Sequence, residues 1–167
     1  YGTSGKTAPL PSYVRRSALA DPGEHALPAN AAQHPLAALG AAAVGVGYWV
    51  AHADADGTVR QVPLVLRDDG AGIPSLALLA ARHSLHLGAD DVRVQATPSA
   101  VRLGGLEIPT DSQSIMRPRT HALADGAASA FANVSFAAVL NGQVPASALK
   151  DKIVLVGMTA DAALASS

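Results

Sequence analysis

Short runs of β-forming residues, separated by tight-turn signals, fill the middle of the chain and constrain its fold more than any other feature. The first turn signal, Asp54-Ala55-Asp56-Gly57, lies between the apolar runs at 45–52 and 58–66. Asp-Gly pairs favour tight turns between strands because glycine readily adopts a positive φ. The sequence therefore predicts a β-hairpin formed by these two runs.

Further strands are predicted downstream. Residues 92–95 and 100–103 flank Thr97-Pro98-Ser99, and residues 106–108 follow the turn signal Gly104-Gly105. Near the end of the chain, residues 152–157 form a continuous apolar run, which is typical of a strand buried on both faces. A weaker strand signal lies at 14–19, within a segment rich in proline, glycine and serine.

One long segment has helical periodicity. Residues 74–87 begin with Pro74-Ser75, are followed by Gly88, and carry apolar side chains three and four positions apart. We predict a helix there, with Ser75 at its start and Gly88 after its end. The predicted buried face consists of Leu76, Leu79, Ala80, His83 and Leu87.

Shorter helices complete the pattern, at 36–44 after Pro35, at 136–140 after an N-cap Ser135, and at 146–149. The predicted fold class is α/β, with α+β as the alternative. It comprises a mixed sheet with a β-hairpin, a long helix led by proline and a buried C-terminal strand. We expect a single domain with its core at 36–160, an irregular connecting segment at 1–35 and a C-terminal tail at 161–167.

Composition excludes several classes of protein. Hydrophobic residues make up 49% of the chain and charged residues 15%, so a folded core is expected. The net charge of −1 offers no basic surface for nucleic acid, and the absence of cysteine excludes disulfides and thiolate metal sites. The longest uncharged apolar run, at 36–51, is shorter than the roughly 20 residues of a membrane-spanning helix.

Motifs for metal or catalytic chemistry are weak. Asp54 and Asp56 resemble the start of a calcium loop, but no acidic residue follows between 58 and 67, so a tight turn is the better interpretation. None of the six histidines shows the pairing of a zinc-binding helix, and the chain lacks the Gly-x-Ser-x-Gly turn of a serine hydrolase. We therefore expect no metal, no cofactor and no enzymatic activity in this segment.

The long polar segment after residue 110 holds the strongest candidate ligand-binding residues. Arg117, Arg119 and His121 cluster there, shortly after Asp111. Guanidinium groups suit carboxylates and phosphates because they donate paired hydrogen bonds. The sequence predicts a small-anion site formed by these four residues, with a plain solvated loop as the alternative.

Four segments, taken in order, resemble the CHASE type 2 family of sensor domains. They are Asp-Ala-Asp-Gly-Thr-Val-Arg-Gln-Val-Pro-Leu at 54–64, Ile-Pro-Ser-Leu-Ala-Leu at 73–78, Ile-Pro-Thr-Asp at 108–111, and the C-terminal stretch 134–160, which includes Lys-Ile-Val-Leu-Val-Gly-Met-Thr-Ala. The chain departs from the family at 115–119, where members carry a Tyr-x-Gly-like strand. Members also begin with a strand and helix section upstream of Tyr1, so we expect this domain to be N-terminally incomplete.

The resemblance implies a location and a role. Such domains lie on the extracytoplasmic, periplasmic face of the bacterial inner membrane, preceded by one membrane helix and followed by several. Their receptors signal to a cytoplasmic nucleotide cyclase, a kinase (including those of two-component systems) or a cyclic-dinucleotide enzyme. The resemblance thus implies a sensor for a small ligand or a periplasmic protein. Two alternatives stay open, namely a dimerisation or interaction module without a small ligand and an α/β hydrolase.

Overall fold

The structure is a computed structural model of the chain, and it describes residues 9–29, 33–49, 54–119 and 131–157. Helices and antiparallel strands are mixed along the chain, as the sequence predicted. The packing falls into two compact units, Tyr1–Arg119 and Thr120–Ser167. In the first unit the elements are α1 (Ser12–Arg15), α2 (Ala37–Ala42), β1 (Val62–Pro63), β2 (Val65–Asp68), β3 (Ala71–Pro74), α3 (Leu76–Ser84), a 3₁₀ turn (Ala89–Asp91), β4 (Val92–Ala96), β5 (Ser99–Leu103), β6 (Leu106–Pro109) and β7 (Ile115–Met116).

The β-hairpin is formed by β2 and β3 around Asp69-Gly70, and not around Asp56-Gly57 as predicted. Asp68 pairs with Ala71 across a two-residue turn, in which Asp69 has φ 47° and Gly70 has φ 73°. Two positive φ values in succession are typical of a type I′ turn, whose twist matches that of the flanking strands. The hairpin predicted around Asp56-Gly57 is therefore wrong. That segment is a turn, but the strand after it, β1, pairs with β7 instead.

Segments from the N-terminal part of the chain extend the hairpin on both edges. Leu19 forms an antiparallel bridge with Gly72 of β3, and Pro28 forms a parallel bridge with Arg67 of β2. Tyr48 adds a parallel bridge to Ser75, just beyond the end of β3. Among residues 45–49, the described part of the predicted strand 45–52, this single bridge is the β-pairing formed.

The predicted strands at 92–95, 100–103 and 106–108 are confirmed as β4, β5 and β6. They form an antiparallel three-stranded sheet with neighbouring strands adjacent in sequence. The connection between β5 and β6 is the predicted Gly104-Gly105 turn, where Gly104 has φ +57°. Short connections and β-branched residues such as Val92 and Val101 favour this local pairing.

Helix α3 begins as predicted, and it buries Leu79 of the predicted face but not Leu76 or His83. The Ser75 hydroxyl accepts a hydrogen bond from the backbone N–H of Leu78 at 3.1 Å, which makes Ser75 the N-cap. The buried side chains are Leu78, Leu79 and Arg82, whereas the predicted face member Leu76 is 40% exposed. The segment is apolar around most of its circumference, so spacing alone did not select the face that meets the core.

The end of α3 also differs from the prediction. The helix closes at Ser84, and His86 adopts the left-handed conformation, with φ 56°, ahead of Gly88. The backbone N–H of Leu87 returns to the carbonyl of Arg82 at 3.0 Å, which satisfies one of the terminal carbonyls.

The hydrophobic core of the first unit has two parts. The larger cluster lies between α3 and the strands, and consists of Leu19, Leu64, Val65, Leu78, Val92, Val101 and Leu103. A smaller cluster joins Leu10 and Val14 of the N-terminal segment to Ile73 of β3. The strand predicted at 14–19 is wrong, because Pro11 starts a short helix there and its carbonyl accepts hydrogen bonds from Val14 and Arg15 at 3.0 Å.

Helix α2 confirms the predicted helix at 36–44 and is anchored to α1. The guanidinium of Arg16 donates to the carbonyls of Gly40, Ala41 and Ala43 at 3.1 to 3.3 Å. A cation at these terminal carbonyls also interacts favourably with the helix dipole. Gly40 is required by packing, since a Cβ there would lie 2.6 Å from the Tyr13 ring.

The second unit is described over residues 131–157. Helix α4 (Phe136–Leu140) and a 3₁₀ turn (Ala146–Ala148) lie where the sequence predicted them, and Gly142 has φ +67° just after α4. The predicted buried strand at 152–157 is wrong. The described residues there have no strand assignment, and Ile153 to Val156 are between 50% and 81% exposed. An apolar run becomes a buried strand only where neighbouring strands supply hydrogen bonds, which local composition does not determine.

Candidate functional site

A cavity of about 880 Å³ lies against one face of the β2–β3 hairpin. Strand alternation sets this face, because successive side chains of a strand point in opposite directions. Leu66 and Asp68 of β2 line the cavity, while Val65, the residue before Leu66, belongs to the main core. Ile73 lies opposite Leu66 on β3 and also lines the cavity. We call this space the hairpin cavity.

The walls of the hairpin cavity come from segments that the hairpin itself pairs with. Leu10 and Val14 contribute apolar surface from the N-terminal segment. The remaining wall residues are Leu27, Pro28, Ala29, Gln33, His34, Pro35, Val46, Gly47, Tyr48, Trp49 and Pro63. Most of these side chains are apolar, and few of them are polar. This composition is typical of a small-molecule pocket.

Asp68 is the unusual residue of the cavity. Its side chain is 7% exposed. Among the described residues, its carboxylate forms neither a hydrogen bond nor an ion pair. The two arginines beside it in sequence or structure bind elsewhere, since Arg15 pairs with Asp69 at 2.8 Å and Arg67 donates to the carbonyl of Ala26 at 2.8 Å. Buried carboxylates are normally paired because losing their hydration is costly.

Tyr48 also lines the cavity and is held by three hydrogen bonds. Its backbone N–H donates to the carbonyl of Pro74 at 3.0 Å, and its carbonyl accepts from Leu76 at 2.8 Å. Its hydroxyl donates to the carbonyl of Pro63, which fixes the ring and leaves the phenol oxygen able to accept. Burial raises the pKa of Tyr48, so the phenol stays protonated at physiological pH.

The rim of the hairpin cavity is partly open. Trp49 is 80% exposed, and Gln33 and His34 are exposed as well. Gly47 allows this wall to approach α3 closely, because a Cβ on Gly47 would lie 2.9 Å from the backbone N and Cα of Leu76. The cavity therefore combines a buried polar end with an accessible aromatic edge.

The predicted anion-site residues lie in and around a second, smaller groove of about 470 Å³. Asp111 and Arg117 line it. The carboxylate of Asp111 is used by the local loop, where it accepts the backbone N–H groups of Gln113 and Ile115 at 2.9 Å. Arg119 is exposed and does not line the groove, and His121 lies outside the described residues. The structure thus brings together two of the four residues.

The Asp-x-Asp-Gly turn is closed by Arg60, three residues after Gly57. The guanidinium donates to Asp54 at 2.7 Å and to both carboxylate oxygens of Asp56, at 2.9 and 2.7 Å. The hydrogen bonds from Arg60 lower the pKa of Asp56 to about 2. The same bonds raise the pKa of Arg60. The predicted turn is confirmed, and its acidic side chains serve as partners for an arginine.

A metal-binding or catalytic arrangement would need several suitable side chains close together within the described ranges. No group of three or more potential metal ligands lies together there. The serine hydroxyls of Ser17, Ser75 and Ser99 bind backbone groups, at 3.0, 3.1 and 3.1 Å. No helix in the described part of the chain is long and apolar enough to cross a membrane.

The hairpin cavity was not predicted from sequence. Asp68 sits in an Asp-Asp-Gly turn signal, where either acid is explained by the turn. Tyr48 sits in an apolar run without a nearby partner in sequence. Asp68 lies two residues after Leu66 and therefore on the same face of the strand. This position could have identified Asp68 as a cavity residue, but only once the register of the hairpin was known.

A small mixed α and β domain with a ligand-sized cavity suits a binding protein better than a catalyst. Comparison with protein families is decisive here: the CHASE2 domain model matches residues 8–165. The chain therefore belongs to the CHASE2 domain family, an extracellular sensory domain family of signalling proteins, which confirms the resemblance found in the sequence. No curated protein and no solved structure gives a significant match. Membership of a sensory family supports a non-enzymatic role for this segment.

Proposed function

We propose that this chain is the periplasmic sensory segment of a bacterial transmembrane signalling protein, and that it binds a small organic ligand in the hairpin cavity. The observation that carries the proposal is the cavity itself. Its volume of about 880 Å³ falls within the roughly 300 to 1,000 Å³ common for small-molecule sites. Apolar walls with a few polar groups supply both binding energy and orientation.

Signal relay follows from how the cavity is built. Its walls come from the N-terminal segment, the segment around Tyr48 and the hairpin, which are far apart in sequence. A ligand that contacts all of them favours the arrangement in which they are closest together. In the receptor, that shift would pass through flanking membrane helices to a cytoplasmic cyclase, kinase or cyclic-dinucleotide enzyme.

A thermal-shift screen of small metabolites tests the proposal with two matched variants. Leu66→Trp fills the cavity from the face of β2, whereas Leu106→Trp adds the same side chain at an exposed position of β6. We expect at least one compound to raise the Tm of the wild type and of Leu106→Trp but not that of Leu66→Trp. The proposal fails if the library contains no stabilising compound, or if every such compound stabilises Leu66→Trp equally.

An interaction module without a small ligand is the second candidate function. It is favoured by exposed apolar side chains in the second unit, among them Phe136, Leu140 and Leu155. Large exposed apolar patches often mark protein contacts. Sedimentation velocity of the wild type and of Leu140→Lys and Leu155→Lys tests this candidate. Self-association that both substitutions abolish supports a homodimer, and a monomer at all concentrations contradicts one.

The small-anion site remains a separate proposal. It is supported by the position of Arg117 beside Asp111 in the smaller groove, where an exposed guanidinium can reach a carboxylate or phosphate. Arg119 follows two residues later and is exposed.

A further inference from the structure

We infer that the ligand of the hairpin cavity carries a positively charged, hydrogen-bond-donating group, an amine or a guanidinium, on an apolar body, and that Asp68 is its counter-charge. The inference rests on the proposed ligand-binding function and adds the chemical class of the ligand. It depends on three observations, namely the burial of Asp68, the engagement of its neighbours and the charge of the cavity wall.

The first observation is the state of the Asp68 side chain. It is 7% exposed and lines the hairpin cavity, and within the described ranges no donor reaches its carboxylate. Its oxygens are not among the fully enclosed unpaired atoms of the described residues, so they meet the solvent of the cavity, and a ligand that displaces this solvent has to supply their partner. The Asp68 carboxylate is therefore free to pair with a group of the ligand.

The second observation concerns the groups around Asp68. Its backbone pairs with Ala71, and the positive φ values of the hairpin turn belong to Asp69 and Gly70. The surface ion pair with Arg15 is also made by Asp69. The fold therefore has no visible use for the side chain of Asp68, whereas the neighbouring Asp69 serves both the turn and the ion pair.

The third observation is the charge of the cavity wall. Among the described lining residues, Asp68 is the one that carries a formal charge at neutral pH. An anionic ligand would meet an unpaired carboxylate with no compensating cation. A cationic ligand would pair with Asp68, and the aromatic rings of Tyr48 and Trp49, which also line the cavity, can attract cations.

The amide, hydroxyl and carbonyl oxygens of the cavity wall can accept the remaining hydrogen bonds of the ligand's cationic group. The phenol oxygen of Tyr48 can accept a hydrogen bond while its proton goes to Pro63. The apolar residues Leu10, Val14, Leu66 and Ile73 would cover the rest of the molecule. The ligand class that fits is therefore an organic amine or guanidine with a hydrocarbon or aromatic body.

Two matched probe series test the inference by calorimetry. One consists of phenethylamine, 2-phenylethanol and 3-phenylpropanoate, and the other of hexylamine, hexanol and hexanoate. The variant is Asp68→Asn, which removes the charge and keeps the shape. The control is Asp69→Asn, which makes the same change one residue along, at an exposed position whose positive φ suits asparagine.

We expect the amine of each series to bind the wild type and Asp69→Asn at least about tenfold more tightly than its alcohol, because charge-assisted hydrogen bonds are the stronger ones. We expect Asp68→Asn to bind amine and alcohol within about threefold of one another. We also expect the unliganded Asp68→Asn to melt at the same temperature as the wild type or higher, since within the described ranges the carboxylate has no partner to lose.

Three results overturn the inference. In the first, the alcohol or the acid binds as tightly as the amine and Leu66→Trp abolishes that binding, in which case the ligand-binding function survives and the assigned class does not. In the second, Asp68→Asn melts well below the wild type, which would show that the carboxylate has a structural partner. In the third, no probe binds and the metabolite screen is also negative, which overturns the proposed function together with the inference.

Discussion

The hydroxyl of Ser17, which is fully buried, accepts the backbone N–H of Val46 at 3.0 Å. This bond joins the segment after α1 to the wall that carries Tyr48. Gly45 lies beside it, and a Cβ there would lie 2.6 Å from the Ser17 oxygen. The N-terminal segment thus contacts the cavity wall through the hydrogen bond from Val46 to Ser17 and through the close approach of Gly45 to the Ser17 side chain.

Replacement of Ser17 tests that tie. Ser17→Ala leaves the N–H of Val46 without its acceptor, so we expect a loss of about 1–3 kcal/mol in the free energy of unfolding. Urea denaturation monitored by Trp49 fluorescence measures it. Ser12→Ala, at an exposed position of α1, should change the stability by less than about 0.5 kcal/mol. Equal effects of the two substitutions would contradict the role given to Ser17.

Close packing of Gly47 leads to a second prediction. Its Cβ would lie 2.9 Å from two backbone atoms of Leu76 and 3.0 Å from the carbonyl oxygen of Pro74, so Gly47→Ala requires the backbone to move. We expect a loss of about 1–3 kcal/mol, as in other overpacked sites. Gly105→Ala is the control, because nothing lies within 4 Å of its Cβ position. A Gly47→Ala variant as stable as Gly105→Ala would contradict the close packing described at Gly47.

The Asp56–Arg60 pair predicts a specific pH response. The pKa of Asp56 is lowered to about 2, mainly by the side-chain hydrogen bonds of Arg60. A lowered folded-state pKa means that the pair stabilises the turn above the ordinary aspartate pKa near 4, and that this contribution is lost as the pH falls through about 2. Carboxyl ¹³C shifts followed by NMR between pH 5 and pH 1 measure the titration, within the pH range in which the fold persists.

Substitution of the arginine provides the matched comparison. In Arg60→Ala the pKa of Asp56 should rise towards the model-peptide value. Arg93→Ala removes an exposed arginine whose guanidinium binds the carbonyl of Asp90, and it should leave the titration of Asp56 unchanged. An Asp56 titration that is the same in wild type and Arg60→Ala would show that the arginine is not its cause.

The main core predicts a large truncation effect at Leu103. This side chain is 2% exposed and belongs to the larger cluster, so Leu103→Ala should cost about 2–5 kcal/mol through lost burial and the cavity left behind. Leu106→Ala, at its cross-strand partner, should cost less than about 1 kcal/mol because Leu106 is mostly exposed. Chemical denaturation of both variants measures the difference, and similar losses would argue against the described core.

The anion proposal is tested by a double substitution. Arg117→Ala with Arg119→Ala should abolish binding of an anionic ligand, measured by calorimetry against a panel of organic acids and inorganic phosphate. Asp68→Asn is the control, because it lies in the other cavity. The proposed anion site is contradicted if the double variant and the wild type have equal affinity for every anion that binds.

Local sequence determined the elements whose hydrogen bonds close within a few residues. The Ser75 hydroxyl reaches Leu78 three residues on, and β5 and β6 pair across a two-residue turn at Gly104-Gly105. The Asp54–Gly57 turn is of the same kind. In each case the competing conformations are few, because loop closure over a short distance costs little entropy. The ordered motifs also determined the family, which the comparison confirmed.

Tertiary structure alone decided which of two Asp-Gly turns became the hairpin, which face of α3 was buried and whether the last apolar run was paired. Asp56-Gly57 and Asp69-Gly70 carry the same local signal, and the choice lay with distant partners such as Leu19, Pro28 and Ser114. That choice also fixed the register that brings Asp68 into a cavity with Tyr48. A strand's side chains change face with a one-residue shift, so the site depends on pairing energies between segments far apart in the chain.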